Sequence, residues 1–215
     1  MKILFISLGC DKNLADSEEM LGLLTGNGHE IVDSEEEADA IVINTCCFIH
    51  DAKEESVNTI LEMAEYKKTG TCKILIVTGC MAQRYKEEIT EEIPEVDAVL
   101  GTTSYGDIVK ALNEAEAGHV FQEFKDINAL PEDSGRRVIT TGGHFGYLKI
   151  AEGCDKHCTY CIIPSLRGKF RSVPEERLLK QAEYMASQGV RELILVAQET
   201  TVYGTDLYGK KTLHI

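Results

Sequence analysis

Three cysteines fall within the eight residues Cys154-Asp155-Lys156-His157-Cys158-Thr159-Tyr160-Cys161, at gaps of three and two residues. One loop can wrap three thiolates so spaced around a single metal centre. In a cubane iron-sulfur cluster a Cys₃ set leaves the fourth iron free to bind a reacting molecule, whereas a structural zinc ion calls for a fourth protein ligand. His157 would be that ligand, but it stands directly beside Cys158 and is poorly placed to reach the same ion. A cluster is the favoured use of this loop and zinc the alternative.

Three further cysteines, Cys10, Cys46 and Cys80, are far apart in sequence, yet each falls one or two residues past a short apolar run. Ile3 to Leu8, Ala40 to Asn44, Ile74 to Thr78 and Ala98 to Leu100 have the composition of buried strands, with Glu30 to Val32 a weaker one. Amphipathic segments at 14–25, 51–68, 81–92 and 105–117 alternate with them, and their acidic faces, such as Glu87-Glu88 and Glu91-Glu92, suit solvent. Strand-helix alternation implies a parallel sheet covered on both faces, an α/β doubly wound domain. All strand C-termini then share one edge, where open α/β sheets place their ligands, so these three thiols can converge there. Cys72 precedes its strand and belongs on the opposite edge. Cys47 follows Cys46 directly, points elsewhere, and reads as a spare or buried thiol.

The organisation expected is an α/β domain over 1–117, a polar linker over 118–142 that includes Pro131-Glu132-Asp133-Ser134-Gly135 and Arg136-Arg137, and a second domain over 143–215. That second part opens with a strand from Phe145 to Ile150 and the cysteine loop. A helix follows Pro174, with Leu178, Ala182 and Met185 as its core face, and then a strand from Glu192 to Ala197. One βαβ unit results, and its sheet is incomplete, so the domain reads as truncated.

Composition bounds the function. Eight cysteines without an export signal argue for metal ligation rather than disulfides, in a cytoplasmic protein with no membrane span. With 36 acidic against 22 basic residues the net charge is −14, which repels phosphate backbones and argues against direct binding of nucleic acid; it serves solubility, the plainer reading, or attracts a basic protein partner.

Placed after a strand, with Tyr160 just before its last cysteine, the 154–161 loop resembles the radical SAM (S-adenosylmethionine) signature. Together with three dispersed cysteines in an N-terminal α/β domain it resembles the methylthiotransferase family over nearly the whole chain. The resemblance implies two 4Fe-4S clusters, one on Cys10, Cys46 and Cys80 and one on Cys154, Cys158 and Cys161, with SAM bound at the second. It implies a (β/α) barrel, of which only the start is present. It also implies that SAM methylates a sulfur held at the first cluster, and that a radical generated at the second prepares the substrate carbon to take the methylthio group. A reducing electron donor is implied. Tyr160 would lie near the adenine and Gln198 would contact SAM.

Within the family, Ser7-Leu8-Gly9-Cys10-Asp11-Lys12-Asn13-Leu14, Ile162-Ile163-Pro164-Ser165-Leu166-Arg167-Gly168 and Gln198-Glu199-Thr200-Thr201-Val202-Tyr203-Gly204 resemble the RimO branch. That branch modifies the β-carbon of an aspartate in the basic small-subunit ribosomal protein S-twelve. A tRNA-adenosine methylthiotransferase and a non-enzymatic zinc-binding module are the alternatives. Cys47 departs from the family pattern, which commonly has a small residue without a thiol there.

Overall fold

The computed structural model describes residues 1–132 and 134–214. Asp133, in the expected linker, and Ile215 lie outside the described residues. The first element is strand β1 (Lys2–Ser7), followed by helix α1 (Asp11–Gly26), β2 (Glu30–Val32), β3 (Ala40–Thr45), α2 (His50–Thr69) and β4 (Ile74–Gly79). Helices α3 (Cys80–Tyr85) and α4 (Glu87–Glu92), strand β5 (Ala98–Leu100), helix α5 (Ile108–Glu116) and strand β6 (Phe121–Glu123) complete this part.

The sheet order is β2-β1-β3-β4-β5-β6, with every pairing parallel. All six residues of β3 and of β4 are buried. Their side chains alternate between two cores: Ile41, Ile43, Leu75 and Val77 face one layer of helices, while Ala40, Val42, Ile74 and Ile76 face the other. An unbroken apolar run is what a strand covered on both faces requires. Burying each Ile, Leu or Val side chain contributes about 1.5–3 kcal/mol relative to exposure.

Three local expectations are revised. The helix anticipated over 81–92 is two short helices, broken at Lys86, whose φ of +37° interrupts the helical path. The segment over 105–117 enters through a 3₁₀ turn at Tyr105–Asp107 before α5 begins. Within the stretch read as linker, Phe121–Glu123 adds the sixth strand beside β5. Its brevity and mixed polarity hide it, since an edge strand has few apolar neighbours to satisfy.

The remaining elements are β7 (Phe145–Lys149), the short antiparallel pair β8 (Ala151–Glu152) and β9 (Arg171–Ser172), α6 (Ile163–Arg167), α7 (Glu175–Ser187) and β10 (Glu192–Val196). Strands β7 and β10 pair in parallel, with α7 between them in sequence, and Leu148, Ile150, Leu178, Met185 and Val190 form their core. No helix among the described residues is long and apolar enough to cross a membrane.

Candidate functional site

In the six-stranded sheet, β2 lies to one side of β1 and β3 to the other, so the chain reverses its winding between β1 and β3. A crevice opens at the strand C-termini at such a switch point. Cys10 follows β1, Cys46 follows β3 and Cys80 follows the next strand, β4. The turns that carry these thiols are held by close approaches that only glycine permits. Gly9 has φ +93°, and a Cβ there would lie 2.7 Å from Cys46 Cβ and 3.0 Å from its Sγ. Gly79 has φ +92°, and a Cβ there would meet the Thr45 carbonyl oxygen at 2.5 Å. Positive φ at both positions excludes other residues for a second reason.

Asn13 ties these turns together. Its Nδ2 donates to the carbonyl oxygens of Leu8 (3.0 Å) and Thr45 (2.9 Å), and its Oδ1 lies 3.8 Å from Cys80 Sγ. The backbone N–H of Cys46 donates to Ser56 Oγ (3.0 Å), which donates in return to the Cys46 carbonyl (2.8 Å), fixing that turn to α2.

The second thiol group sits on the loop between β8 and α6. The Cys154 N–H donates to the Gly168 carbonyl (3.1 Å) and the Cys161 N–H to the Cys158 carbonyl (3.0 Å). Asp155 Oδ1 accepts from the Phe170 N–H (3.0 Å), which closes the loop against the strand after α6.

A cleft of about 590 Å³ lies between the two groups, and all six thiols line it. Tyr160 and Gln198 line it too. Tyr160 is 88% exposed, and both polar atoms of the Gln198 amide are shielded from solvent with no hydrogen-bond partner among the described residues. Phe48, Ile49, Ile163 and Leu166 supply apolar walls. No cysteine forms a disulfide among the described residues, and no three His, Cys, Asp or Glu side chains there are grouped to hold a single metal ion.

The two remaining cysteines lie away from the cleft. Cys47 is buried in the same core as Ile41, Ile43, Leu75 and Val77, and that burial pushes its thiol up to about 11. Cys72 is buried at the N-terminal side of β4, where its Sγ lies 3.4 Å from the Ile74 carbonyl. Burial raises the Cys46 thiol as well, the nearby Cys80 and Cys10 sulfurs adding to the effect.

Several residues of this region escape sequence reasoning because charged helix positions read as solvent-facing. Helix α1 buries Lys12, Asn13, Asp16, Glu18 and Glu19 against the later part of the chain. Arg167 donates to Asn13 Oδ1 (2.5 Å) and Asp16 Oδ2 (2.7 Å). Lys149 pairs with Asp16 and with Glu152 (2.8 Å). Arg137 donates to Glu18 Oε2 through Nε (2.8 Å) and Nη2 (2.6 Å), and Thr140 donates to Glu18 Oε1 through its N–H (2.7 Å) and hydroxyl (2.8 Å). Tyr105 Oη donates to Glu19 (3.1 Å). Burial opposes the charge on Glu152, but the cations of Lys149, Arg167 and Lys12 outweigh it and hold the carboxyl well below its usual range. The signal available in sequence was the Asn13, Asp16 and Glu19 spacing, which places three polar side chains on one helical face.

Residues 2–101 match the model of Uncharacterized protein family UPF0004, and residues 148–214 match that of the Radical SAM superfamily. A six-stranded α/β sheet joined to a cysteine-loop βαβ unit is thus the class of protein defined. The chain is 66% identical over 213 residues to "Ribosomal protein uS12 methylthiotransferase RimO" of Lachnoclostridium phytofermentans, covering 99% of this chain and 48% of that protein. It is 52% identical to the protein of the same name from Clostridioides difficile, and 51% to that of Acetivibrio thermocellus, again over 99% of this chain and 48% of each relative. The chain spans about half the length of the curated relatives it matches, all three of which are named as methylthiotransferases.

Proposed function

We propose that the chain is part of a radical SAM enzyme that adds a methylthio group to the β-carbon of an aspartate in ribosomal protein uS12. The observation that carries this reading is the opening of two thiol triads, one from the edge of the sheet and one from the loop, onto one cleft. Its donor set fits iron-sulfur clusters. Thiolates around one zinc ion, with Zn–S about 2.3 Å, would crowd to within about 4 Å of one another, whereas a cluster seats each thiolate on a separate iron. In this reading Cys10, Cys46 and Cys80 hold one 4Fe-4S cluster, and Cys154, Cys158 and Cys161 hold the other. Bound there, the clusters and SAM supply a transferable sulfur on one side of the cleft and a reductively generated radical on the other.

The chain's own side chains complete the site. Tyr160 offers an aromatic face for the adenine, and the unpartnered amide of Gln198 offers both a donor and an acceptor to SAM. Phe48 and Ile49 help exclude water. The guanidinium of Arg167, whose strongest neighbouring charge is Cys80, balances thiolate charge at the first triad. The names of the relatives support uS12 as substrate, and the net charge of −14 suits a basic ribosomal protein. A reducing protein in the cytoplasm is the partner this chemistry requires.

Iron and sulfide content after anaerobic reconstitution tests the cofactors. About eight irons per chain are expected in two clusters of about four, and Cys46→Ala and Cys154→Ala should each lose about half. Bound zinc in place of iron would refute the assignment. Mass spectrometry then tests the substrate: methylthio-aspartate in uS12 is the expected product, and methylthio-adenosine in tRNA would overturn the choice.

A further inference from the structure

Lys12 lies in the first turn of α1, two residues beyond Cys10, and lines the same cleft as the six thiols. Lys12 is only 8% exposed, and its Nζ has no hydrogen-bond partner among the described residues. An ammonium removed from water without a partner is costly, so its retention points to an anion that arrives later.

The surrounding carboxylates face other cations, although Glu152 Oε2, like Lys12 Nζ, has no hydrogen-bond partner among the described residues. Asp16 accepts from Lys149 and Arg167, and Glu152 Oε1 pairs with the same two cations. Glu19 accepts from Tyr105. At the far lip of the cleft Lys156 is paired with Glu199. Among the cations that line the cleft, Lys12 is left over. The Cys10 end of α1 has no side-chain cap, so its helix dipole adds positive potential on the same side.

We propose that Lys12 is a carboxylate-binding residue, whose ammonium receives the side-chain carboxylate of the protein substrate as it enters the cleft and so selects an acidic residue over a neutral one. This rests on the uS12 reading above and adds the residue that recognises the aspartate. The apolar walls of the cleft strengthen the contact, because a charge-assisted hydrogen bond gains where water is excluded. An adenine base has no charge to offer this site.

The test uses full-length protein with both clusters reconstituted. Two peptides serve as probes, one carrying the uS12 target aspartate in its native flanking sequence and one with asparagine in its place. Binding is read by fluorescence anisotropy for wild type, Lys12→Met and Lys12→Arg, with iron content and the reduction potentials of the clusters recorded beside it. Wild type should hold the aspartate peptide on the order of tenfold or more tighter than the asparagine peptide. Lys12→Met should erase that preference by weakening the aspartate peptide alone, and Lys12→Arg should restore part of it.

Equal loss of affinity for both peptides would show a structural role and overturn the proposal. An intact preference accompanied by a shifted potential would make Lys12 a counter-charge to the first cluster and also overturn it. Wild type that prefers the aspartate peptide but yields no methylthio-aspartate would refute the enzymatic reading while leaving the recognition role standing. Wild type that binds neither peptide would refute both.

Discussion

Replacing Asp16 with asparagine keeps the shape of the side chain and removes one of the two carboxylates, Asp16 and Glu152, that answer both Lys149 and Arg167. All three side chains are at most 7% exposed, and Arg167 Nη1 lies 2.7 Å from Asp16 Oδ2. After the change, Glu152 alone faces Lys149, Arg167 and the unpartnered Lys12. Breaking a buried ion pair from one side costs about 3–5 kcal/mol, because the remaining charge keeps its desolvation penalty without its partner. At about 2–4 °C per kcal/mol for a chain of this size, the midpoint of thermal unfolding should fall by roughly 6–20 °C. Far-UV circular dichroism of the reduced, metal-free protein measures this without any contribution from bound clusters. The exposed Lys2–Glu37 pair is the control; Glu37→Gln should leave the midpoint unchanged, since solvent and salt screen such a pair. An Asp16→Asn midpoint indistinguishable from wild type would show that the buried network contributes nothing net, and would remove the basis for assigning α1 a docking role.

Gly9→Ala should lower iron loading at the first triad and leave the second loaded, because the new methyl group meets Cys46 at 2.7 Å while φ +93° is retained. Equal loss at both triads would argue for general misfolding instead. Acidification should destabilise the fold through Glu152. Its folded-state carboxyl is held below the ordinary 4.5, so the unfolded chain takes up the proton first. The stabilisation is present above about pH 4.5 and is lost as the pH falls through the folded-state value. Urea unfolding across that range should therefore give a falling midpoint, and Glu152→Gln should flatten the slope.

The strands of the first sheet were legible because burial on both faces demands continuous apolar runs, and Ala40 to Asn44 and Ile74 to Thr78 have no other use in a helical layer. Convergence of Cys10, Cys46 and Cys80 followed from strand direction alone. The fate of α1 did not. Lys12, Asp16, Glu18 and Glu19 have the composition of a solvent face like that of Glu87-Glu88 and Glu91-Glu92, which is indeed exposed. What separates the two cases is a set of cations more than a hundred residues away, Arg137, Lys149 and Arg167, and periodicity carries no information about partners at that separation. Arg137 was hidden in the same way, because an arginine pair in a polar stretch looks like linker until Glu18 is placed beside it.

Asn13 connects the two halves of the site more directly than any loop. Its amide nitrogen bonds the carbonyls of Leu8 and Thr45, which precede the turns bearing Cys10 and Cys46, while its amide oxygen holds Arg167 on α6. That helix begins two residues after Cys161. A shift of α6 relative to the sheet would therefore strain the bonds that hold the first triad. Asp16, one turn further along α1, grips the same guanidinium from the other side. Both cysteine groups thus refer their positions to one helix, and the width of the cleft between them is set by side-chain hydrogen bonds rather than by the intervening chain. The proposed passage of a sulfur species from one side of the cleft to a carbon on the other needs that distance fixed, since misplacement on the scale of an ångström is enough to slow such a transfer by orders of magnitude.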